Sequence, residues 1–209
     1  MTSNPGTGKW ARLALIFVVL VLVDQCTKFL AVDRLTSVFE ANSAQTFFQK
    51  LHGFVHFREL VRQGYIKAPY PVIEKCWHMS YVENPGAAWG LFSTMPETYR
   101  HLFFVTLSIG AIAFILSYYR KLKEDQRFLQ VALALVLSGA VGNFIDRLVR
   151  HYVIDFIDLH WGYAAQLRWP TFNVADSLIV IGVLMLVVQP NKDRRKVSED
   201  GRSGTATNP

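Results

Sequence analysis

The sequence predicts an all-α membrane protein with four transmembrane helices, a small extracytoplasmic β element and an interfacial helix. Three observations lead to this prediction. First, 51% of the 209 residues are hydrophobic. Second, many of the apolar residues lie in four runs close to the roughly 20 residues that a membrane span requires. Third, Lys and Arg cluster beside those runs.

The four runs cover residues 13–31, 101–119, 128–146 and 173–189. The first run also has the form of a secretory signal peptide, because basic residues precede its uncharged stretch. We expect it to be retained as a span, since no small-residue cleavage site follows it. The chain is then one integral membrane domain over residues 1–209. It has an outer insert at about 32–100 and a polar, disordered tail at 190–209.

The basic clusters indicate the orientation of the spans. They lie before the first span, between the second and third, and after the fourth, at Lys9 and Arg12, at Arg120 to Arg127, and at Lys192 to Lys196. Cytoplasmic loops carry the excess of Lys and Arg, so we expect both termini in the cytoplasm. The net charge of +6 then reflects orientation, and no nucleic-acid partner is expected.

Within the outer insert, apolar residues recur at helical spacing between about residues 42 and 63, behind a capping-box pattern at 42–45. This pattern predicts an amphipathic helix. The helix either lies in the headgroup layer of the membrane or packs on the protein's own outer part, and the sequence leaves both placements open. Short strands are predicted at 77–82 and 87–92, around a turn at 83–86.

Two acids at the edges of spans are candidates for chemistry. Asp155 follows the third span, and Asp176 lies in the first turn of the fourth. A charge at the centre of a bilayer costs about 2.5–3.5 kcal/mol on insertion scales, so acids at spans indicate functional sites. Two adjacent carboxylates share one proton and can hydrolyse an amide without a metal. Alternatively, Asp176 only interacts favourably with the positive N-terminal end of its helix, and Asp155 is a solvated loop acid.

Other polar residues have structural alternatives. Asn143 and Asn173 either orient carboxylates or cap helices. Asp146 is expected to form an ion pair with its neighbour Arg147, and Asp24 an i,i+4 pair with Lys28.

No cofactor and no metal are expected. His52 and His56 have helical i,i+4 spacing, but no third ligand is evident in the sequence. Cys26 and Cys76 leave open a disulfide or two free thiols.

Four motifs follow one another along the chain in a recognisable order. They are DQCTK at 24–28, NPGAAWG at 84–90, GNFIDR at 142–147 with VIDF at 153–156, and FNVADS at 172–177. In these motifs the chain resembles the bacterial lipoprotein signal peptidases (signal peptidase II), a family of aspartyl membrane peptidases. The stretch from about 36 to 75 is not matched.

The resemblance implies a catalytic dyad of Asp155 and Asp176. The supporting or substrate-binding residues that it implies are Asp24, Lys28, Asn84, Gly86, Asn143, Asp146, Arg147 and Asn173. It also implies a diacylglyceryl-modified prolipoprotein substrate, cleaved just before the lipidated cysteine, with membrane lipid and globomycin-type inhibitors as further partners. The expected location is the bacterial inner membrane, with the active site facing the outer side.

Two other classes of function compete with a peptidase. A proton-coupled carrier would use membrane acids as a relay, but it favours acids near mid-span and broken helices. The acids here cluster at one face. A non-catalytic assembly factor would carry the same carboxylates in structural roles.

Overall fold

The computed structural model describes residues 7–44, 46–57, 60–86, 92, 94–161 and 168–188. These residues form six helices and three strands. In chain order they are α1 (Thr7–Leu35), α2 (Val38–Ala41), α3 (Phe47–His56), β1 (Tyr70–Ile73), β2 (Trp77–Asn84), α4 (Glu97–Lys121), α5 (Arg127–Arg150), β3 (Val153–Leu159) and α6 (Val174–Val187).

Three helices are long and apolar enough to cross a membrane. They cover Gly8–Leu35 in α1, Glu97–Lys121 and Arg127–Arg150. The fourth predicted span corresponds to α6, which has 14 residues and a length of about 21 Å. That is short of the roughly 30 Å of a bilayer core, so the count of four spans stays a prediction. The predicted tail at 190–209 lies outside the described residues.

The long helices expose apolar side chains on their outer faces. The exposed residues on α1, α4 and α6 include Leu15, Leu22, Leu107, Phe114, Val183 and Leu184. A soluble monomer rarely exposes an apolar surface of this kind, whereas lipid tails cover it without cost. The exposure therefore agrees with helices that stand in a bilayer.

Helix α5 is the central helix, and it packs most tightly on α6 through two glycines. A Cβ added at Gly139 would lie 2.3 Å from the backbone oxygen of Ala175. A Cβ added at Gly182 would lie 2.7 Å from the backbone oxygen of Ala132. The two backbones are therefore in direct contact, and this contact sets the distance between the polar residues at the outer ends of α5 and α6.

The sheet is antiparallel, with the strand order β1-β2-β3. Its pairing sets Val82 opposite Asp155 and Asn84 opposite Val153. The strand predicted at 77–82 is confirmed and extends to Asn84. Strand β3 was not predicted, and the strand predicted at 87–92 lies almost wholly outside the described residues, apart from Phe92 in a turn.

The helix predicted over residues 42–63 is wrong in its extent. The insert instead forms α2, then α3 over Phe47–His56, and then turns. The capping box lies at Thr46, which exchanges side-chain and backbone hydrogen bonds with Gln49. Phe57 adopts an extended conformation and ends α3, which is why the apolar spacing beyond it does not continue as helix.

Helix α3 packs one side on the protein and exposes the other. The ring of Phe54 lies 5.5 Å from that of Phe29 on α1, in an edge-to-face arrangement. Phe54 belongs to a buried cluster that also contains Leu35, Leu60 and Ile154. The outer end of α1, the insert and the sheet therefore share one core.

We expect the α5–α6 contact to be sensitive to a single methyl group. Gly139→Ala should destabilise the protein by about 1–3 kcal/mol, because the two backbones must separate. Gly110→Ala on α4 is the control, since nothing lies within 4 Å of its added Cβ. Thermal unfolding in detergent measures both variants. An equal effect of the two substitutions would contradict the packing described here.

Candidate active site

Asp155 is buried in the middle of β3, with 1% of its surface exposed. One carboxylate oxygen accepts a hydrogen bond from Asn84 Nδ2 at 2.9 Å. The other accepts one from Asn173 Nδ2 at 2.7 Å. The antiparallel pairing of β2 with β3 explains the first bond, because it brings the end of β2 to the start of β3.

Asp176 lies in the first turn of α6, where Asn173 is the N-cap. The side chain of each of these two residues accepts a hydrogen bond from the backbone N–H of the other, which makes a capping box. Asn143 Nδ2 on α5 donates to the second oxygen of Asp176 at 2.7 Å. The positive end of the helix dipole also favours the negative charge of this carboxylate.

Asn173 brings the two acids together. Its side chain donates to Asp155 at 2.7 Å, and its backbone N–H donates to Asp176 at 3.2 Å. Burial, and then the negative charge of Asp176, raise the pKa of Asp155 to about 7, although the hydrogen bonds from Asn84 and Asn173 act in the opposite direction. Asp155 can therefore hold a proton near neutral pH.

A buried lysine lies next to the two acids, separated from Asp176 by Asn143. The ammonium group of this residue, Lys28, has no exposed surface. It lies 2.9 Å from a carboxylate oxygen of Asp24 and 2.9 Å from one of Asp146. Its third partner is Asn143 Oδ1, at 3.0 Å. Three acceptors match the three N–H groups of a lysine. The i,i+4 pair predicted between Asp24 and Lys28 is therefore present, as part of a larger buried cluster.

The ion pair predicted between Asp146 and Arg147 is not the one found. Asp146 pairs instead with Arg150, one helical turn along, at 2.9 Å. Adjacent residues of a helix do not face each other, whereas residues four apart do. That spacing was present in the sequence and could have identified Arg150, which the sequence reasoning did not assign to the site.

Arg147 points elsewhere. Its guanidinium lies over the ring of Phe104, 5.1 Å from the ring centre, and contacts the backbone oxygen of Asn143 at 3.5 Å. Its Nε is buried and has no hydrogen-bond partner among the described residues. Arg147 therefore carries a buried donor group that no described residue satisfies.

Two further predicted residues form the turn after β2. The backbone N–H of Gly86 donates to Asn84 Oδ1 at 3.1 Å. This bond orients the amide of Asn84 so that its nitrogen is directed to Asp155. The rest of this motif, residues 87–90, lies outside the described part of the chain.

Two histidine groupings among the described residues bear on the expectation that no metal is bound, which stays a prediction. His52 and His56 stack at 4.0 Å on α3. His78, Asp158 and His160 offer ligand atoms within 4.8 Å of one another on the sheet. However, both oxygens of Asp158 already accept hydrogen bonds from Arg168, and one also accepts a bond from Ser80. Both cysteines are free thiols.

The chain is similar to known proteins over most of its length. The family model described as signal peptidase (SPase) II, Peptidase_A8, matches residues 16–190. A lipoprotein signal peptidase of Anaeromyxobacter sp. (strain Fw109-5) is 56% identical over 93% of this chain and 91% of its own length. Another, of Syntrophotalea carbinolica, is 36% identical over 87% of this chain and 91% of its own length.

Solved structures show the same architecture. Two structures, each described as a bacterial membrane enzyme determined by the in meso method, superpose with TM-scores of 0.60 and 0.62. Their sequences are 26% and 27% identical to this one, over 100% and 92% of the chain and 99% of each of theirs. The chain therefore belongs to the signal peptidase II family, and it is an aspartic peptidase of the bacterial inner membrane that acts in lipoprotein processing.

Proposed function

We propose that this enzyme cleaves diacylglyceryl-modified prolipoproteins just before the lipidated cysteine, with Asp155 and Asp176 as the catalytic pair. The observation that carries the proposal is that Asn173 hydrogen bonds both carboxylates at the end of an apolar helix. Family membership supports the removal of signal peptides from lipoproteins. The diacylglyceryl group and the position of the cut follow from the motif resemblance.

The two acids have different tasks in this mechanism. Asp176, ionised at the helix N-terminus, takes a proton from a water molecule whose oxygen attacks the scissile carbonyl carbon. Asp155, protonated, donates its proton to the carbonyl oxygen. In the second step the proton held by Asp176 passes to the amide nitrogen, the C–N bond breaks, and the carbonyl re-forms as the hydroxyl proton returns to Asp155. The cysteine amine leaves, and no metal takes part.

The other predicted residues support this pair. Asn84, Asn143 and Asn173 orient the carboxylates through neutral amide groups. Asp24, Lys28 and Asp146 hold α1 against α5, and Gly86 shapes the turn that aims Asn84. Arg147, with its unused Nε, is the residue that we propose contacts the substrate backbone.

We infer that the site lies at the outer edge of a four-span bundle with both termini in the cytoplasm. The polar cluster lies toward the end of α1 that is remote from the basic Lys9 and Arg12. A diacylglyceryl chain would lie in the bilayer with its scissile bond at that depth. Globomycin-type inhibitors are expected to occupy the same place.

Helix α3 is proposed to lie in the headgroup layer. Its exposed face carries Phe47, which is 62% exposed, Phe48, which is 78% exposed, and Leu51. The aromatic contact between Phe29 and Phe54 brings α3 alongside α1, close to the level of Lys28. Aromatic residues at this level are typical of a membrane interface.

The assignment of the acids is tested by three substitutions. Asp155→Asn and Asp176→Asn should each give a folded, membrane-inserted protein whose cleavage of a purified diacylglyceryl prolipoprotein falls at least about 100-fold. Asp146→Asn should instead destabilise the fold by about 3–5 kcal/mol, because it leaves Arg150 without its carboxylate. A stable, inactive Asp146→Asn beside a partly active Asp155→Asn would reverse the roles.

The pH dependence of cleavage tests the proton on Asp155. Because a pKa of about 7 leaves Asp155 protonated below neutrality, the rate should fall as pH rises through about 7. Asn84→Ala removes a hydrogen bond that favours the ionised form, so the pKa of Asp155 should rise and the alkaline limb should move to higher pH. Asn42→Ala, at the end of α2, is the control. If the fall in rate at alkaline pH occurs at the same pH in Asn84→Ala as in the wild type, Asp155 is not the acid.

Reporter fusions test the orientation. A reporter that is active only outside the inner membrane should be silent when fused after Val188 and active when inserted at Gly64, which lies in an exposed turn. The positive-inside pattern is the reason for this expectation. An active fusion after Val188 rules out four spans.

A further inference from the structure

The side chain of Arg150, at the end of α5, connects helix α3 of the outer insert to the buried cluster around Asp146. Two of its N–H groups, on Nε and Nη2, donate to the backbone oxygen of Phe54 at 3.1 and 2.8 Å. Its guanidinium also lies over the ring of Phe54, 3.9 Å from the ring centre. Both side chains are buried, and Arg150 is 3% exposed.

The Phe54 carbonyl needs such a partner. It belongs to the last turn of α3, where backbone oxygens find no N–H donor within the helix. The oxygen of Gly53 accepts from Phe57 N–H, and that of His52 contacts His56 Nδ1. Arg150 supplies the donors for Phe54, and its positive charge suits the negative end of the α3 dipole.

The remaining contact of Arg150 leads toward the two acids. Its Nη1 donates to one oxygen of Asp146 at 2.9 Å. The other oxygen of Asp146 accepts from Lys28 at 2.9 Å and from the backbone N–H of Ile154 at 3.2 Å. Ile154 directly precedes Asp155. Arg150 itself touches neither catalytic carboxylate.

A second short path leads to the other acid. Lys28 donates to Asn143, whose amide donates to Asp176 at 2.7 Å. Asp146 is therefore connected by hydrogen bonds to the segment that carries Asp155 and, through Lys28 and Asn143, to Asp176, while Arg150 connects Asp146 to α3. A guanidinium has a rigid fork of donors, so a lysine cannot make these contacts together.

We propose that Arg150 is a positioning residue for the peptidase reaction, which connects the membrane-facing helix α3 to the catalytic pair through Asp146. The inference rests on the proposed function. It assigns a role to α3, which lies in the stretch from about 36 to 75 that the motifs do not match: the placement of α3 sets the geometry of the site.

Arg150→Lys tests this role, because it keeps the charge beside Asp146 and loses the fork on the Phe54 carbonyl. Per folded molecule, kcat should fall about tenfold with little change in KM, since small displacements of catalytic groups lower turnover. Phe54→Leu removes the ring under the guanidinium and keeps the carbonyl, so it should lower kcat in the same direction. The double variant should lose no more than Arg150→Lys alone.

Lys50→Gln is the matched control. Lys50 also ties α3 to the bundle, through Asp33 on α1, but no described contact of this pair leads to the acids. Its kcat should equal that of the wild type. The inference is overturned if Arg150→Lys and Phe54→Leu change only stability and yield, or if Lys50→Gln lowers kcat as much. Absence of cleavage by the wild type would instead count against the proposed function itself.

Discussion

The buried ammonium group of Lys28 is the interaction on which the rest of the molecule depends. It has no exposed surface and three acceptors, on Asp24, Asp146 and Asn143. An unpaired charge in such surroundings costs several kcal/mol, so α1 and α5 are stable together only when these acceptors are in place. Asp24 also accepts from the backbone N–H of Ala175 at 3.0 Å, which ties α6 to the same point.

The buried ion pairs around Lys28 and the two proposed catalytic acids have different hydrogen-bond partners. Lys28 and Arg150 balance Asp24 and Asp146 within one closed group. The two proposed catalytic carboxylates receive their side-chain hydrogen bonds from neutral amides instead. An amide orients a carboxylate without holding it ionised as firmly as a contacting cation would. Burial and the negative charge of Asp176 raise the pKa of Asp155 to about 7, and a cation in direct contact with the carboxylate would lower that pKa.

The sequence predicts structure well where a physical constraint allows only one kind of local structure. Four long apolar runs predicted helices, and helices are found at nearly the expected places, because only a helix satisfies its own backbone in lipid. Acids at the ends of such runs are costly, and for that reason Asp155 and Asp176 are candidates from the sequence, whose catalytic role stays a proposal. Strand β3 could not be recognised, since the run at 153–159 is apolar on both faces apart from two acids, and its pairing partner lies far away along the chain.

Choices between neighbouring residues were less accessible to sequence reasoning. Asp146 has arginines at both the next position and the fourth, and only the geometry of the helix selects Arg150. Residues 42–63 of the insert were predicted as one helix because the apolar spacing runs on past residue 57. The break there follows from the core shared by Phe54, Leu60 and Ile154, which is a tertiary effect that periodicity does not contain.

Strand β1 has a consequence for how neighbouring molecules coexist in a crowded membrane. All four of its residues are exposed, and it forms one edge of the sheet. An open apolar edge is a template on which a second molecule can add a strand. Pro71 has no N–H to offer such a strand, and the register shifts between Pro71 and Ile73. The edge therefore offers a second molecule an interrupted set of hydrogen-bond partners, and pairing of two copies along it is disfavoured.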